Sequence, residues 1–281
     1  MKEQKPIVVH FHENEWEFVF PPSIDNEQTY NQYWEGVELL DYDDLAAERI
    51  FKAVIKKCPY HIDAYNHLSI AFKNQKKPYE SFLTADKAYL IGKSCLPKEF
   101  KQSKHKLHWS NLDNRPFLRS CHILGMEYQD RKQHEEAIQL YSEILGYNED
   151  DHQGVRYLLL ECFFALKDYK AAAQLLKKHK DDWGIEFVYG RLLLAIINND
   201  KERLESLLAD AIKRNKFVPE EITKSKHIAP PPFRIPGEPY FDAGIPMGSI
   251  QEAYGYWKNN KSLLTDKRVK TFFAGVKNNN G

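Results

Sequence analysis

The first twenty residues alternate between apolar and polar positions. Ile7, Val9 and Phe11 are set against Val8, His10 and His12, and after Glu13-Asn14 a second run sets Trp16, Phe18 and Phe20 against Glu17 and Val19. Period-two patterning on both sides of a short polar turn predicts a β-hairpin, which Pro21-Pro22 ends. A lone hairpin is marginal in water, so this one is expected to pack on something larger. From about residue 26 to residue 215 the apolar period becomes helical, and the helices come in pairs joined by short polar loops.

The pairs repeat. Ala47-x3-Phe51-x2-Val54 is matched by Ser81-x3-Ala85-x2-Ala88, and Ala137-x3-Tyr141-x2-Ile144 by Ala171-x3-Leu175, each at a spacing of about 34 residues. The preceding helices match as well: Tyr65, Leu68 and Phe72 before the second set, Leu124, Gly125 and Tyr128 before the third, and Val155, Leu158 and Cys162 before the fourth. This pattern resembles the tetratricopeptide repeat. Its small residues let antiparallel helices approach closely while a large neighbour fills the groove. A weaker fifth pair, 187–197 and 202–214, is closed by Pro219, and an insert at 94–112 breaks the period and is expected to bulge as an irregular connection.

The expected fold is therefore all-α, a tetratricopeptide-like right-handed helical solenoid (an α-α superhelix) with a short N-terminal β-hairpin and a C-terminal helical cap. The expected divisions are 1–24 for the hairpin, 25–226 for the repeats, 227–248 for a proline-rich strap and 249–281 for the cap. Pro230, Pro231, Pro232, Pro236, Pro239 and Pro246 block helix and central strand in the strap. At ~3.1 Å per residue it reaches on the order of 60 Å. Phe233, Ile235, Tyr240, Phe241 and Ile245 are too apolar for a solvated linker, so the strap is expected to lie against the solenoid, and one reading has it fill the groove of its own array. Ser249 is expected to cap a helix at 250–258, followed by a last helix at about 263–274 and a polar tail at 276–281.

A further set of motifs appears in order: Asn114-Arg115-Pro116-Phe117-Leu118-Arg119; the run from Asn148 to Arg156 (Asn-Glu-Asp-Asp-His-Gln-Gly-Val-Arg); Asn215-Lys216-Phe217-Val218-Pro219; and Glu252-Ala253-Tyr254 with Trp257. This order is similar to that of a group of bacterial tetratricopeptide-repeat proteins and of the repeat half of the eukaryotic suppressor-of-tumorigenicity family, over roughly 28–273. The resemblance implies a protein-interaction scaffold and supplies no established reaction. The eukaryotic relatives carry membrane-spanning segments, and no such run stands here, so their location is not carried over. Glu149 replaces the usual proline of the family's Asn-Pro-x-Asp turn.

Composition narrows the classes. The chain has 281 residues, 42% hydrophobic and 28% charged, with 40 basic residues balanced by 40 acidic ones. That balance argues against a general nucleic-acid binder. Cys58, Cys95, Cys121 and Cys162 form no CxxC pair and sit in or beside helical apolar patterns, so reduced, buried thiols are expected. The start has too short an apolar run for a signal peptide, and the most apolar stretch, 192–197, is far short of the roughly 20 residues that cross a bilayer. A cytoplasmic protein without membrane contact follows.

Reaction chemistry is sparse. His10-x-His12 places two imidazoles on one strand face, but a metal site needs a third ligand, and none stands out. His105 and His108, in an insert with Lys98, Lys101, Lys104 and Lys106, read better as a solvated loop than as ligands or an acidic-partner site. No HExxH, GxSxG or phosphate loop occurs, and adjacent Cys121-His122 point apart on a helix. Asp41, Asp43 and Asp44, and Glu149, Asp150 and Asp151, read as helix-start residues rather than as cation ligands. No catalytic residue, metal site or cofactor is assigned.

The first helix of each pair lines the concave face of tetratricopeptide arrays. In that register Asn66, Lys73, Arg119, His122, Gln129, Gln153 and Arg156 are candidate groove residues for a protein or peptide partner. The alternative is that Arg115, Arg119 and Arg156 pair with acids such as Asp113 and Asp151 and fix the turns between repeats. The expected function is a non-enzymatic scaffold. Its rivals are a metal or enzymatic role for the N-terminal histidines, self-occlusion by the strap, and homo-oligomerisation through Trp16, Phe18 and Phe20.

Overall fold

The structure, a computed structural model, describes residues 4–233 and 244–279. Strands β1 (Ile7–His12) and β2 (Glu15–Val19) pair antiparallel, with Val8 opposite Phe18. Helices α1 (Glu27–Leu39), α2 (Asp44–Lys57), α3 (Ile62–Asn74) and α4 (Pro78–Cys95) follow. After the insert come α5 (Arg115–Asp130), α6 (His134–Tyr147), α7 (Val155–Ala165), α8 (Tyr169–Lys178), α9 (Ile185–Ile197) and α10 (Lys201–Arg214). Local chemistry sets the starts. The side chains of Asn26, Asp43 and Asp168 accept the backbone N–H groups of Thr29, Ala46 and Ala171. Pro78 and Pro116 lie in first turns, where a missing N–H costs nothing.

Packing explains the recurring small residues. A Cβ on Gly36 of α1 would stand 2.8 Å from the Phe51 ring of α2, and one on Gly125 of α5 would stand 2.5 Å from the Tyr141 ring of α6. In the intervening pair the sizes are exchanged. Ala85 stands where the ring would be, and Ile70, one repeat after Gly36, packs against the cluster that holds Ala85. The first and third pairs thus set a glycine against a ring, and the pair between them divides the same space between two aliphatic side chains.

Contacts divide the chain into two compact units, Met1–Leu159 and Leu160–Gly281, and the division falls inside α7. The first unit buries Phe51, Ile62, Phe117, Tyr141 and Tyr147 completely; the second buries Phe187, Tyr189 and Phe273. No described helix is long and apolar enough to cross a membrane.

Several elements differ from expectation. The insert docks the hairpin rather than bulging away from it. Lys106 N–H donates to Asn14 O at 2.8 Å, and Trp16 N–H donates to Lys106 O at 2.9 Å. Buried Asn114 completes the joint: its Oδ1 accepts Phe18 N–H at 3.0 Å and its Nδ2 donates to Trp16 O at 3.1 Å. Phe18 is fully buried against Phe117, and Trp16 packs on Phe100 and His105, so much of the aromatic edge expected for self-association is spent within the chain. Pro219 does not simply end the array. It sits in the first turn of α11 (Val218–Thr223), because proline breaks a helix only from its interior.

The second unit closes with α12 (Ile250–Asn259), which Ser249 caps as expected, then α13 (Lys261–Leu264) and α14 (Lys267–Asn279). One last helix was expected. Asp266 splits it by accepting the Arg268 N–H at 2.8 Å, and α14 continues into the supposed polar tail. In the strap, Ile235, Pro236, Pro239, Tyr240 and Phe241 lie outside the described residues. Its described ends hold neither helix nor strand. Gln251 Nε2 donates to Pro231 O at 2.9 Å, and Gly248 N–H donates to Glu252 at 2.7 Å.

Candidate functional site

The repeat register builds the site. Arg119 on α5 stands to Asp63 on α3 as Ala137 stands to Ser81, so the two occupy one position in neighbouring repeats, and they form an ion pair. Tyr33 on α1 and His67 on α3 likewise share a position. His67 Nδ1 lies 2.9 Å from the Asp63 carbonyl oxygen and 3.1 Å from the Tyr33 hydroxyl. A carbonyl only accepts, so the contact to it uses an Nδ1–H. His61 Nδ1 accepts the Ala64 backbone N–H at 3.2 Å, which leaves its hydrogen on Nε2.

Burial sets the charges here. It pushes His61 down to about 4 and holds His67 below the usual histidine range, so both rings are neutral at pH 7. Burial, reinforced by the Asp63 charge, raises the Tyr33 phenol. Burial opposes the Arg119 cation, yet the adjacent Asp63 carboxylate holds it above its ordinary value.

An open pocket of about 440 Å³ surrounds this pair within the first unit. Its walls are aromatic. Tyr30 and Trp34 are 59% and 43% exposed, with ring centroids 6.0 Å apart and planes at 55°. Tyr33 meets Trp34 edge-on at 5.6 Å. Phe20 and Asp25 enter from the segment after the hairpin, Leu112 and Asp113 from the junction of the insert with α5, and Arg115 from the first residue of α5. Trp109 fixes the two arginines. Arg115 Nε donates to its carbonyl at 2.9 Å, and the Arg115 and Arg119 guanidiniums lie 5.1 and 5.9 Å from its ring centroid.

Of the seven candidate groove residues, Arg119 lines this pocket. The others are engaged between or within repeats. Asn66 is fully buried and donates to Asp63 Oδ1 and Pro116 O, both at 2.9 Å. Lys73 bridges Glu127 and Asp130 at 3.2 and 2.7 Å. Gln129 accepts the Tyr141 hydroxyl at 2.9 Å. Gln153 Nε2 reaches Leu118 O at 3.3 Å and His122 Nδ1 at 3.4 Å. Arg156 pairs with Asp151 at 2.8 Å, as the turn-fixing alternative expected, and Asp151 also accepts the Val155 N–H at 2.8 Å at the start of α7. Arg119 finds Asp63 and not Asp113.

Sequence reading passed over Tyr30, Tyr33, Trp34, His61 and His67. Tyr30-x2-Tyr33-Trp34 was a usable signal, since it sets three rings on an otherwise polar helix. The N-terminal histidines do not converge. His10 packs edge-on against Trp16 and donates to Glu13 O at 2.8 Å. Among the described residues no group of His, Cys, Asp and Glu is placed to hold a metal ion. All four cysteines are buried and unpaired. Burial raises Cys121 well above its ordinary value and Cys162 to about 12, which makes both poor nucleophiles.

Comparison with known proteins identifies the repeat. Residues 16–274 match the family described as "Transcriptional repressor TCF25", a span that contains every ordered motif from Asn114 to Trp257. No curated protein sequence matches the chain. A putative kinesin light chain with nearly identical TPR-like repeats from Podosopora anserina is 15% identical with a TM-score of 0.50, covering 69% of this chain and 95% of that one. A tetratricopeptide repeat protein from Parabacteroides merdae is 18% identical with a TM-score of 0.51, covering 66% of this chain and 67% of that one. At such identities the likeness establishes fold alone, and it bears out the tetratricopeptide-like architecture.

Proposed function

The chain belongs to the Tcf25 family, and from that premise we propose that it is a non-enzymatic protein-interaction scaffold whose first unit binds a peptide segment of a partner in the aromatic pocket. The observation that carries this reading is the exposure of Tyr30, Trp34 and Leu112 around a fixed Arg119–Asp63 pair. Rings held at steep angles beside a preorganised ion pair favour a ligand that is apolar in part and polar at defined points. Repeat folds present such surfaces without a catalytic centre. Neutral His61 and His67, each already hydrogen-bonded, and the buried thiols support a binding role over a reactive one.

The family's description as a transcriptional repressor fits a protein that acts by recruiting others, and the balanced total charge gives no net electrostatic pull toward DNA. Unpaired buried thiols support a reducing compartment: the cytoplasm or, with that family description, the nucleus. Panning a random peptide-display library against the chain and against a Tyr30→Ala/Trp34→Ala variant tests the reading. Peptides enriched on the unaltered chain and lost on the variant support it; equal enrichment on both contradicts it.

A further inference from the structure

The same pocket carries an unbalanced charge pattern. Asp25, Asp63 and Asp113 face Arg115 and Arg119, and the neighbouring imidazoles of His61 and His67 are neutral at pH 7. Asp63 is matched by Arg119. Arg115 is committed to Trp109, through the carbonyl and the ring face. The Asp25 and Asp113 side chains have no hydrogen-bonding or ionic partner among the described residues, while Glu17 beside them accepts from Asn111 at 2.9 Å. Asp113 is raised by burial and by the charges of Asp25 and Glu17, so these carboxylates feel one another without a counter-ion. Two of the aromatic walls, Tyr30 and Trp34, remain exposed beside them.

Resting on the peptide-site reading above, we propose that the pocket receives one lysine side chain of the partner peptide, its ammonium accepted by Asp25 and Asp113 and its methylene stem laid on Tyr30 and Trp34. One cation brings the formal sum of the pocket to zero. A lysine stem is apolar and its head is charged, which matches rings below and carboxylates at the rim. Ring faces attract the ammonium through their quadrupole, and carboxylates accept its N–H groups. A volume of about 440 Å³ exceeds one side chain and leaves room for flanking residues of an extended peptide. An acidic anchor is disfavoured, since three aspartates against two arginines already leave the pocket net negative and Arg119 is paired with Asp63.

The test uses the full chain and short capped, dye-labelled peptides of glycine and alanine with a central lysine, norleucine or glutamate, read by fluorescence polarisation. The lysine peptide is expected to bind, and the norleucine peptide to bind roughly tenfold or more weakly. An Asp25→Asn/Asp113→Asn variant should lose roughly tenfold for lysine and leave norleucine unchanged, and added salt should weaken lysine binding alone. Both carboxylates lie at the surface, and a single Asp25→Asn variant with an unchanged melting temperature guards against a folding defect. Equal affinity for lysine and norleucine, tighter binding of glutamate, indifference to the double variant, or no lysine binding at millimolar concentration would each overturn the proposal. A norleucine or glutamate peptide that binds the chain at least as tightly as the lysine peptide, and does not bind Trp34→Ala, removes the lysine assignment while keeping the peptide site. A display selection that yields no pocket-dependent peptide removes both.

Discussion

Arginine, carboxylate and aromatic rings meet in both units, with opposite outcomes. In the second unit Arg214 is closed in: its side chain is 4% exposed, both terminal nitrogens engage Glu252, and Nε donates to Trp183 O at 2.7 Å. Glu252 also accepts Asn215 Nδ2 at 2.9 Å and Gly248 N–H at 2.7 Å. Burial alone would raise this carboxyl, yet Arg214, Gly248 and Asn215 hold it below its usual range. Helix α12 supplies Glu252, and Trp257 on the same helix stacks on His227 at 3.6 Å. In the first unit the Arg119–Asp63 pair is half open, with Arg119 29% exposed and the rings of Tyr30 and Trp34 facing solvent. The same side chains therefore make a seal where all three nitrogens of the buried guanidinium are bonded, and an open site where carboxylates are left over.

The sharpest way to break this contrast is to open the seal. Glu252→Ala leaves buried Arg214 without its carboxylate and should lower unfolding free energy by about 3–5 kcal/mol, measured by urea denaturation of the full chain. Next is acid. His61 titrates near 4 when folded against 6.5 in the open chain, so the unfolded state takes up the proton first as pH falls. Its contribution is complete above about 6.5, declines between there and about 4, and is flat below, a loss of up to about 3 kcal/mol in the first unit. His61→Asn keeps an acceptor for Ala64 and should flatten that part of a pH-dependent denaturation series. Asn114→Ala orphans Phe18 N–H and the Trp16 carbonyl, and should cost about 1–3 kcal/mol and expose the hairpin in hydrogen exchange. Trp34→Ala should cost the least, about 1 kcal/mol, because the ring is 43% exposed and gives up its edge-on contact with Tyr33.

That ranking also reflects what was legible in the chain. Hairpin and helical pairs are readable because period two and period 3.6 are local properties, and sets such as Ala47-x3-Phe51-x2-Val54 and Ser81-x3-Ala85-x2-Ala88 recur about 34 residues apart. Docking of Lys106 beside Asn14 and Trp16 is not readable, since it joins segments about ninety residues apart with no shared pattern. Helix α11 was hidden by Pro219, whose effect depends on its place in the turn. The groove register names Arg119, which lines the pocket, but not what it meets. Asp63 becomes its partner only when the repeats are aligned across the insert. The pocket draws on the stretch after the hairpin, α1, α3, the end of the insert and the start of α5, so no one segment announces it.

The most direct test of the account compares a display-selected peptide's affinity for the unaltered chain and for Trp34→Ala, with melting temperatures taken on the same samples. The account predicts at least a roughly tenfold loss of affinity with a melting temperature lowered by no more than about 4 °C. Equal affinity for both proteins would contradict it.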